Sequence, residues 1–344
     1  MYSKKKFWSK TLVKKTSKIV DVINSLNKSG LQISIIVDSK KNFVGTITDG
    51  DIRRGMLKGL KLSSKITSII NKKSIFSKKK ISAINAQKIL NKFEIMHLPI
   101  LNGKKISGLY FNGNNKIDKK LKPNNVVIMA GGFGRRLENL TKKMPKGMLK
   151  YYGKPLLEHI IERLKKEGFK NIYISVFYLK DKIINYFDDG KKFDVNIKYL
   201  IEKRPMGTIG GLSLLKKKFN ESFVVLNCDV ITDLNFEEML KFHNLKKADI
   251  TMAVKNFTFT NPYGVIKSKN NYFKKFDEKP SISFTINAGI YLFNPNVINC
   301  IKSNKIKNIQ DLIHIFFKKK KMISTYPMYE NWQDFGSNKS ELKS

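Results

Sequence analysis

The sequence predicts an α/β protein with a Rossmann-like, doubly wound and mainly parallel sheet, preceded by a small α+β unit. Between residues 126 and 226, short apolar runs alternate with segments of helical spacing. This alternation is typical of a parallel sheet with helices on both faces. A helix–strand–strand pattern occurs twice before residue 120, which indicates a separate unit. Doubly wound sheets bind ligands at the carboxyl ends of their strands, so we expect the functional site there.

The elements of the main sheet follow in order. The first strand is Val126–Ala130, an uninterrupted apolar run that is short enough to be buried on both faces. A helix over 156–167 ends at Gly168, the residue type that most often closes a helix. The remaining predicted elements are a strand at 171–176, a helix at 180–187, a strand at 196–200, a helix at 208–215 and a strand at 222–226.

A glycine-rich turn directly after the first strand carries the clearest chemical signal. Its glycines are Gly131, Gly132 and Gly134. Without Cβ atoms, the backbone N–H groups of such a turn approach a phosphate closely, and Arg136 and Lys146 add cations. The dinucleotide fingerprint fails, because Leu137 stands where its third glycine belongs, and the Walker pattern fails because Gly147 follows the lysine. We predict a nucleoside triphosphate site.

This region resembles the signature of the sugar-1-phosphate nucleotidyltransferases, or nucleoside-diphosphate-sugar pyrophosphorylases. The family pattern reads Gly-Gly-x-Gly-Thr-Arg-Leu, Leu-Thr, Pro-Lys-x-Met/Leu and Gly-Lys-Pro. The matching residues are Gly131, Gly132, Gly134, Arg136, Leu137, Leu140, Thr141, Pro145, Lys146, Met148, Gly153, Lys154 and Pro155. Arg135 departs from it, since Thr or Ser is usual there. The resemblance covers about residues 125–340 and implies a nucleotide-diphospho-sugar transferase fold for a catalytic domain at 121–344.

The resemblance also implies the sites for metal and base. Asp229, after the apolar strand, and Asp334, in a Trp-x-Asp-x-Gly-Ser segment, match two carboxylates that hold catalytic Mg²⁺. The base would meet the segment Glu-x-x-Pro-x-Gly-Thr, with Glu202, Gly207 and Thr208 as nucleotide-binding residues. A carboxylate acceptor suits the two donors of a guanine edge, which favours GTP. UTP, dTTP and CTP remain alternatives, and Thr208 could equally cap a helix.

Three segments between the two aspartates match the sugar site of the family. The implied substrate-binding residues are Gly264, Glu278, Lys279 and Asn287. In the implied reaction, the sugar 1-phosphate attacks the α-phosphorus of the triphosphate in line and pyrophosphate leaves. Arg136 and Lys146 would be the catalytic cations, and no acid–base residue is required. The alternative is a nucleotide-sensing regulatory protein with an inactive transferase domain.

Residues 1–120 resemble a pair of CBS repeats, a domain that senses nucleotides or dimerises. The segment Gly-x-x-Thr-x-x-Asp places Thr48 and Asp51 where a hydroxyl and a carboxylate would bind phosphate and ribose, so an adenine nucleotide is the implied ligand. Asp51 would also make an ordinary helix cap. A polar stretch at 112–125 predicts a linker. A CBS pair before such a transferase resembles enzymes that supply activated amino sugars for surface glycans, which suggests glucosamine 1-phosphate.

Composition bounds the remaining function classes. The net charge of +40 could indicate nucleic-acid binding, but the excess extends along the whole chain and only six basic residues are arginine. Two cysteines, Cys228 and Cys300, indicate neither a disulfide framework nor a zinc site. No apolar run resembles a signal peptide or membrane span, so we expect a cytoplasmic protein without membrane partners. We also expect a homo-oligomer, and no nucleic-acid partner. The sequence ends soon after Ser337, so no further acyltransferase repeat domain is expected.

Overall fold

The computed structural model describes residues 8–93, 95–111, 121–303 and 305–336. The chain divides into two compact units, Met1–Asp118 and Lys119–Ser344. Residues 112–120 of the predicted linker and Ser337 of the last motif lie outside the described residues. Within the described ranges, no helix has both the length and the apolar character needed to cross a membrane.

The N-terminal unit contains the repeated order that the sequence predicts. Its elements are β1 (Leu12–Lys14), α1 (Ile19–Ser29), β2 (Ile33–Val37), β3 (Phe43–Thr48), α2 (Asp49–Leu57), α3 (Ala83–Lys92), β4 (His97–Asn102) and β5 (Lys105–Phe111). β2 pairs in parallel with β1 and antiparallel with β3, and β4 pairs antiparallel with β5. The order α1–β2–β3 thus recurs as α3–β4–β5. Its assignment to the CBS family remains a prediction.

The second unit begins with elements that carry the predicted nucleotide loop. They are β6 (Val126–Ala130), β7 (Lys150–Tyr151), β8 (Lys154–Pro155), α4 (Leu156–Lys166), β9 (Asn171–Val176), α5 (Lys180–Phe187), β10 (Asn196–Ile201), β11 (Phe223–Asn227) and β12 (Val230–Thr232). The elements that follow are α6 (Phe236–Lys246), β13 (Ile250–Thr260), β14 (Val265–Lys269), β15 (Tyr272–Asp277), β16 (Ser281–Phe293), α7 (Val297–Ser303), α8 (Ile309–Lys318), β17 (Ile323–Pro327) and β18 (Trp332–Asp334).

The main sheet of this unit is mixed and mainly parallel. Its strand order is β10-β9-β6-β11-β16-β13-β17. β10, β9, β6 and β11 pair in parallel, and so do β13 and β17. β16 alone runs against its neighbours, β11 and β13. The predicted α/β class and mainly parallel sheet are therefore confirmed.

Alternate side chains of β6 enter two different cores. Val126 and Ile128 pack in a cluster with Leu157 of α4. Val127 packs on the opposite face, in a cluster that contains Leu312 of α8. Side chains of a strand alternate between its two faces, so β6 is buried on both sides. This explains why every residue of the strand is apolar.

One predicted helix is wrong. Residues 208–215 form only a short 3₁₀ helix, Gly210–Leu214. Gly207 has a left-handed φ of +76°, which breaks a helix at its start. The backbone N–H groups of Ile209 and Gly210 donate to the carbonyl of Lys307 instead of serving a helix of their own. This segment is therefore tied to the chain just before α8.

Candidate active site

The glycine turn after β6 is closed on one side and open on the other. Gly134 has φ +67°, and its carbonyl accepts hydrogen bonds from Leu137 N at 2.8 Å and Thr141 Oγ1 at 3.1 Å. A Cβ on Gly134 would lie 2.7 Å from Thr141 Cγ2, so this close approach requires glycine. Gly132 is exposed, and nothing lies within 4 Å of the position that its Cβ would take. The turn therefore has room for a phosphate on its open side.

Lys146 is brought to the end of β11 by a buried turn. The 3₁₀ helix Lys146–Met148 packs so closely that a Cβ on Gly147 would lie 2.6 Å from Leu157 Cδ1 and 3.5 Å from Cys228 Cβ. Lys146 Nζ donates to Asp229 Oδ2, and the two side chains are only 13% and 10% exposed. The predicted catalytic cation and metal ligand thus form a largely buried ion pair.

Gly336 marks the point where the predicted catalytic groups meet. A Cβ on this buried glycine would lie 2.7 Å from Asp334 Oδ1, 3.0 Å from Lys146 Nζ and 3.1 Å from Arg136 Nη2. Three side chains from separate parts of the sequence therefore surround one backbone position. With the ion pair between Lys146 and Asp229, the structure unites Arg136, Lys146, Asp229 and Asp334.

Strand pairing explains why two distant aspartates are neighbours. β12 and β18 form an antiparallel ribbon in which Val230 stands opposite Asp334. The N–H of Phe335 also donates to the carbonyl of Asp229 at 3.0 Å. These bonds fix the backbone of the two carboxylates side by side, although more than a hundred positions separate them.

The residues present fit a divalent ion held by few protein ligands. The part of the chain that the structure describes contains no group of three or more His, Cys, Asp or Glu side chains able to hold a metal. Two carboxylates, Asp229 and Asp334, nevertheless share the site. Mg²⁺ is commonly bound by one or two carboxylates, with phosphate oxygens and water completing an octahedron. The donor set is therefore compatible with Mg²⁺ whose remaining positions are filled by phosphate oxygens and water.

Cys228 is not a nucleophile in this site. Its thiol is buried, and burial together with the nearby Asp229 carboxylate raises its pKa to about 12. A thiol with such a pKa is neutral at pH 7, whereas nucleophilic cysteines are thiolates. Its side chain instead packs next to Gly147.

Glu202 lies beside the glycine turn, in a buried position. Its Oε1 accepts from Ser175 Oγ at 2.8 Å and its Oε2 accepts from Met206 N at 2.9 Å. A Cβ on Gly131 would lie 2.5 Å from Glu202 Oε1, so the carboxylate touches the turn. Burial raises the pKa of Glu202, and the two hydrogen bonds oppose this shift. The carboxylate therefore links β9, the glycine turn and the loop after β10.

Thr208 and Gly207 connect this loop to α8. Thr208 Oγ1 accepts from Ile309 N at 2.9 Å, so its hydroxyl bonds the first residue of α8. A Cβ on Gly207 would lie 2.5 Å from Asn308 Oδ1. Thr208 does make a helix-terminal bond, but to a different helix from the one that the sequence suggested. Met206, the residue before Gly207, donates its N–H to Glu202 and so ties this loop to the carboxylate. Contact of Gly207 and Thr208 with a base remains a prediction.

The predicted sugar-binding residues fall into two groups. Gly264 and Glu278 are neighbours, since a Cβ on Gly264 would lie 3.2 Å from Glu278 Oε2. Lys279 follows in a left-handed conformation with φ +43° and an exposed side chain. Asn287 lies on β16, where its amide donates to Tyr291 Oη at 2.6 Å and accepts from Gly289 N at 3.0 Å. The contacts among the described residues do not join Glu278 or Lys279 to the four catalytic groups.

Thr48 and Asp51 of the N-terminal unit meet each other. Thr48 is the residue before α2, and both its N–H and its hydroxyl donate to Asp51 Oδ2 at 2.8 Å. Arg54 donates to Asp51 Oδ1 at 2.7 Å. Thr48 is therefore the N-cap and Asp51 closes a capping box as the third residue of α2, so the helix begins earlier than a cap at Asp51 would place it. A nucleotide would have to compete with these bonds, and its binding here remains a prediction.

Sequence reasoning missed three residues that support the site. Gly336 belongs to the last motif, but its role as the meeting point of Asp334, Lys146 and Arg136 requires coordinates. Ser175 binds Glu202, and Gly211 packs directly against the Ser175 hydroxyl. A signal existed for Ser175, since it is the polar residue next to the carboxyl end of a buried strand.

Comparison with known proteins identifies the family of the second unit. Residues 125–343 match the family described as nucleotidyl transferase. A mannose-1-phosphate guanylyltransferase catalytic subunit beta of Xenopus tropicalis is 32% identical over 224 residues, which cover 63% of this chain and 62% of that protein. A mannose-1-phosphate guanyltransferase of Aspergillus oryzae is 32% identical over 225 residues, with the same coverage. The chain therefore spans about three fifths of the length of these relatives.

A solved structure supports the fold. The chain superposes with a TM-score of 0.51 on a protein from Bacillus anthracis that is assigned as a glucose-1-phosphate thymidylyltransferase and was crystallised with sucrose. The sequence identity is 24%, and the alignment covers 62% of this chain and 90% of that one. The residues that match the family, 125–343, include Arg136, Lys146, Asp229 and Asp334. The chain belongs to the nucleotidyl transferase family.

Proposed function

We propose that the chain joins a sugar 1-phosphate to GTP, giving a GDP-sugar and pyrophosphate. The observation that carries this proposal is the convergence of Arg136, Lys146 and Asp334 around Gly336, with Asp229 paired to Lys146. Two cations and two carboxylates beside an open glycine turn suit a reaction between two phosphates. The relatives named as mannose-1-phosphate guanylyltransferases support GTP as the nucleotide.

The residues of the chain would act by position and charge. An oxygen of the sugar phosphate forms a bond to the α-phosphorus of GTP, and the bond from that phosphorus to the β-phosphate bridging oxygen breaks. Both reactants are anions, so the main barrier that the protein lowers is their repulsion. The glycine turn would hold the triphosphate, with Arg136 beside it. Lys146 would exchange part of its contact with Asp229 for the charge that develops on the α-phosphate.

The two carboxylates have a separate task. Asp229 and Asp334 would hold Mg²⁺, which when bound neutralises phosphate charge between the two substrates. The Asp229 carboxylate is also paired with Lys146. Glu202 would set the base end of the site, where its buried position fixes the loop that faces the glycine turn. Gly264, Glu278, Lys279 and Asn287 would contact the sugar phosphate.

Two sugar phosphates are candidates for the second substrate. The names of the relatives favour mannose 1-phosphate, whereas the CBS-like unit before the transferase favours glucosamine 1-phosphate for a surface glycan. The N-terminal unit would bind an adenine nucleotide through Thr48 and Asp51, in competition with the capping bonds between them.

The direct test is pyrophosphate release by the full chain with Mg²⁺. GTP, UTP, dTTP and CTP are each combined with mannose 1-phosphate and glucosamine 1-phosphate. We expect release with GTP and one of the two sugars, and release must require both substrates. Equal release with all four nucleotides would contradict the assignment of GTP. No release with any pair would contradict the proposed reaction.

A further inference from the structure

A cleft lies at the amino ends of the parallel strands of the main sheet. Its volume is about 360 Å³. Asn125 directly precedes β6, Asn171 and Asn196 are the first residues of β9 and β10, and all three line the cleft. The four catalytic groups lie instead beyond the carboxyl ends of β6 and β11. A five-residue strand such as β6 is about 17 Å long, so the cleft is separate from the proposed active site.

The floor of the cleft is apolar and aromatic. Ile172 and Phe219 line it and are buried. Tyr173 packs on Phe219 with the ring centroids 5.2 Å apart, and its side chain is only partly buried. Among the residues that the structure describes, none forms a hydrogen bond with the Tyr173 hydroxyl. Tyr173 therefore brings both an aromatic ring and an unpaired hydroxyl to the cleft.

Three lysines give the cleft a positive charge. Lys198 lies on β10, whereas Lys217 and Lys218 belong to the loop before β11, and all three are exposed. Within the described ranges, none of these lysines forms an ion pair. Three lysines against one acid of the lining, Glu221, leave a formal charge of +2. An anion is attracted to such a group, and no ion pair has to be broken for it to bind.

Asparagines add neutral hydrogen-bonding groups to the same lining. There are four of them: Asn125, Asn171, Asn196 and Asn220. Asn196 Nδ2 donates to Asn171 Oδ1 at 3.1 Å, and the side chains of Asn125 and Asn220 have no partner in the part of the chain that the structure describes. An amide side chain both donates and accepts, so it matches hydroxyl groups and the polar edge of a base. These groups favour an organic ligand over a bare inorganic ion.

We propose that this cleft is a second binding site, which takes a small organic phosphate. The phosphate would lie at Lys198, Lys217 and Lys218, and the sugar or base attached to it would lie against Tyr173 and the asparagines. Ligand sites have volumes of about 300–1,000 Å³. The cleft is at the lower end of this range, which suits a sugar phosphate or a nucleoside monophosphate and is too small for an extended nucleic-acid strand.

The experiment titrates the full chain by calorimetry with GMP, mannose 1-phosphate and inorganic phosphate, at about 0.15 M salt to screen distant charges. Four proteins are compared: the natural chain, Lys198→Glu, Lys218→Glu and Lys216→Glu. Lys198 and Lys218 line the cleft from different elements, whereas Lys216 is an exposed lysine of the same loop outside the lining. Melting temperatures check that the three variants keep the fold.

We expect a binding event for GMP or mannose 1-phosphate that weakens at least about tenfold in both Lys198→Glu and Lys218→Glu, because each replaces an attraction by a repulsion. Lys216→Glu should bind like the natural chain. A loss confined to GMP would identify a nucleoside phosphate as the ligand, and a loss confined to mannose 1-phosphate would identify a sugar phosphate.

Two results would overturn the proposal. One is binding of both organic phosphates that is the same in all four proteins. The other is inorganic phosphate that binds the cleft as tightly as the organic ligands, because Tyr173 and the asparagines would then contribute nothing. Calorimetry requires no turnover, so the result stands whether or not the proposed reaction is found.

Discussion

At the residue scale, Lys146 and Asp229 raise the question of whether their ion pair serves stability or catalysis. Both side chains are largely buried, and a buried ion pair costs much of its Coulomb energy in lost hydration. Such a pair is weak evidence for a stabilising role. Its place beside Arg136 and Asp334, next to an exposed glycine turn, favours catalysis.

Replacing Asp229 by Asn should reduce turnover by about 10²- to 10³-fold, because the metal ligand is lost and Lys146 is left without its anion. The unpaired lysine should also lower the free energy of unfolding by about 1–3 kcal/mol. Pyrophosphate release and thermal melting measure the two effects. Asp233→Asn is the matched control, since Asp233 is exposed and binds Asn331 outside the cluster. Turnover of Asp229→Asn at the level of this control would remove the metal assignment.

Glu202→Gln tests the base end of the site. Glutamine keeps the shape but offers one oxygen where Ser175 and Met206 now donate to two. We expect a loss of about 1–2 kcal/mol in stability and a smaller ratio of kcat/KM for GTP over UTP. Glu221→Gln, at an exposed acid of the same unit, serves as control. An unchanged GTP to UTP ratio would show that Glu202 does not discriminate between bases.

The sequence predicted these residues unequally well. The glycine turn and Arg136 were predicted from the residues themselves, because the backbone N–H groups of glycines and nearby cations bind phosphate. The partnership of Asp229 with Asp334 came only from a family resemblance, since it depends on the pairing of β12 with β18. The importance of Gly336 could not be predicted. It lacks a side chain where Asp334, Lys146 and Arg136 converge, and this convergence depends on the fold.

At the scale of elements, continuous apolar runs were the most reliable signal. β6 has the predicted bounds, because a strand covered on both faces tolerates few polar residues. The predicted helix at 208–215 was wrong, because its glycines and the carbonyl of Lys307 override the apolar spacing. The ribbon of β13 and β16 beyond residue 255 was not predicted, although apolar and polar residues alternate in it as they do in a strand with one apolar face.

His243 makes the attachment of α6 sensitive to acid. Its Nδ1 lies 2.7 Å from Thr251 Oγ1 of β13, and burial lowers the pKa of His243 to about 4. In the unfolded chain the pKa is about 6.5, so the unfolded state binds more protons between these values. The stability that neutral His243 provides is present above pH 6.5 and is lost as the pH falls towards 4.

The corresponding measurement is the melting temperature as a function of pH. We expect it to fall between pH 7 and pH 5 in the natural chain and to fall less in His243→Gln, which has no such proton to bind. His314→Gln, at an exposed histidine of α8, should follow the natural chain. Equal slopes for His243→Gln and the natural chain would contradict the assignment.

At the scale of the whole molecule, the chain consists of two compact units with separate apolar clusters. Arg136, Lys146 and Asp334 around Gly336, and Asp229 paired with Lys146, all belong to the second unit. We therefore expect residues 119–344 alone to fold and to keep most of the turnover with GTP. Steady-state kinetics of this fragment and the full chain provide the comparison.

The N-terminal unit should act on the response to nucleotides rather than on the chemistry. AMP or ATP should raise the melting temperature of the full chain and leave that of fragment 119–344 unchanged, if Thr48 and Asp51 bind an adenine nucleotide. A folded but inactive fragment would show instead that the first unit contributes to the active site. A full chain that is indifferent to both nucleotides would contradict the proposed adenine site.

The proposed reaction requires Lys146 and Asp229 to act on phosphate and metal rather than only on each other. The double variant Lys146→Met, Asp229→Asn removes both charges and leaves neither of them unpaired, so it separates the two roles. We predict that its melting temperature returns towards that of the natural chain while pyrophosphate release from GTP stays lost. Recovery of pyrophosphate release along with stability would show that the pair is only structural and would contradict the proposed active site.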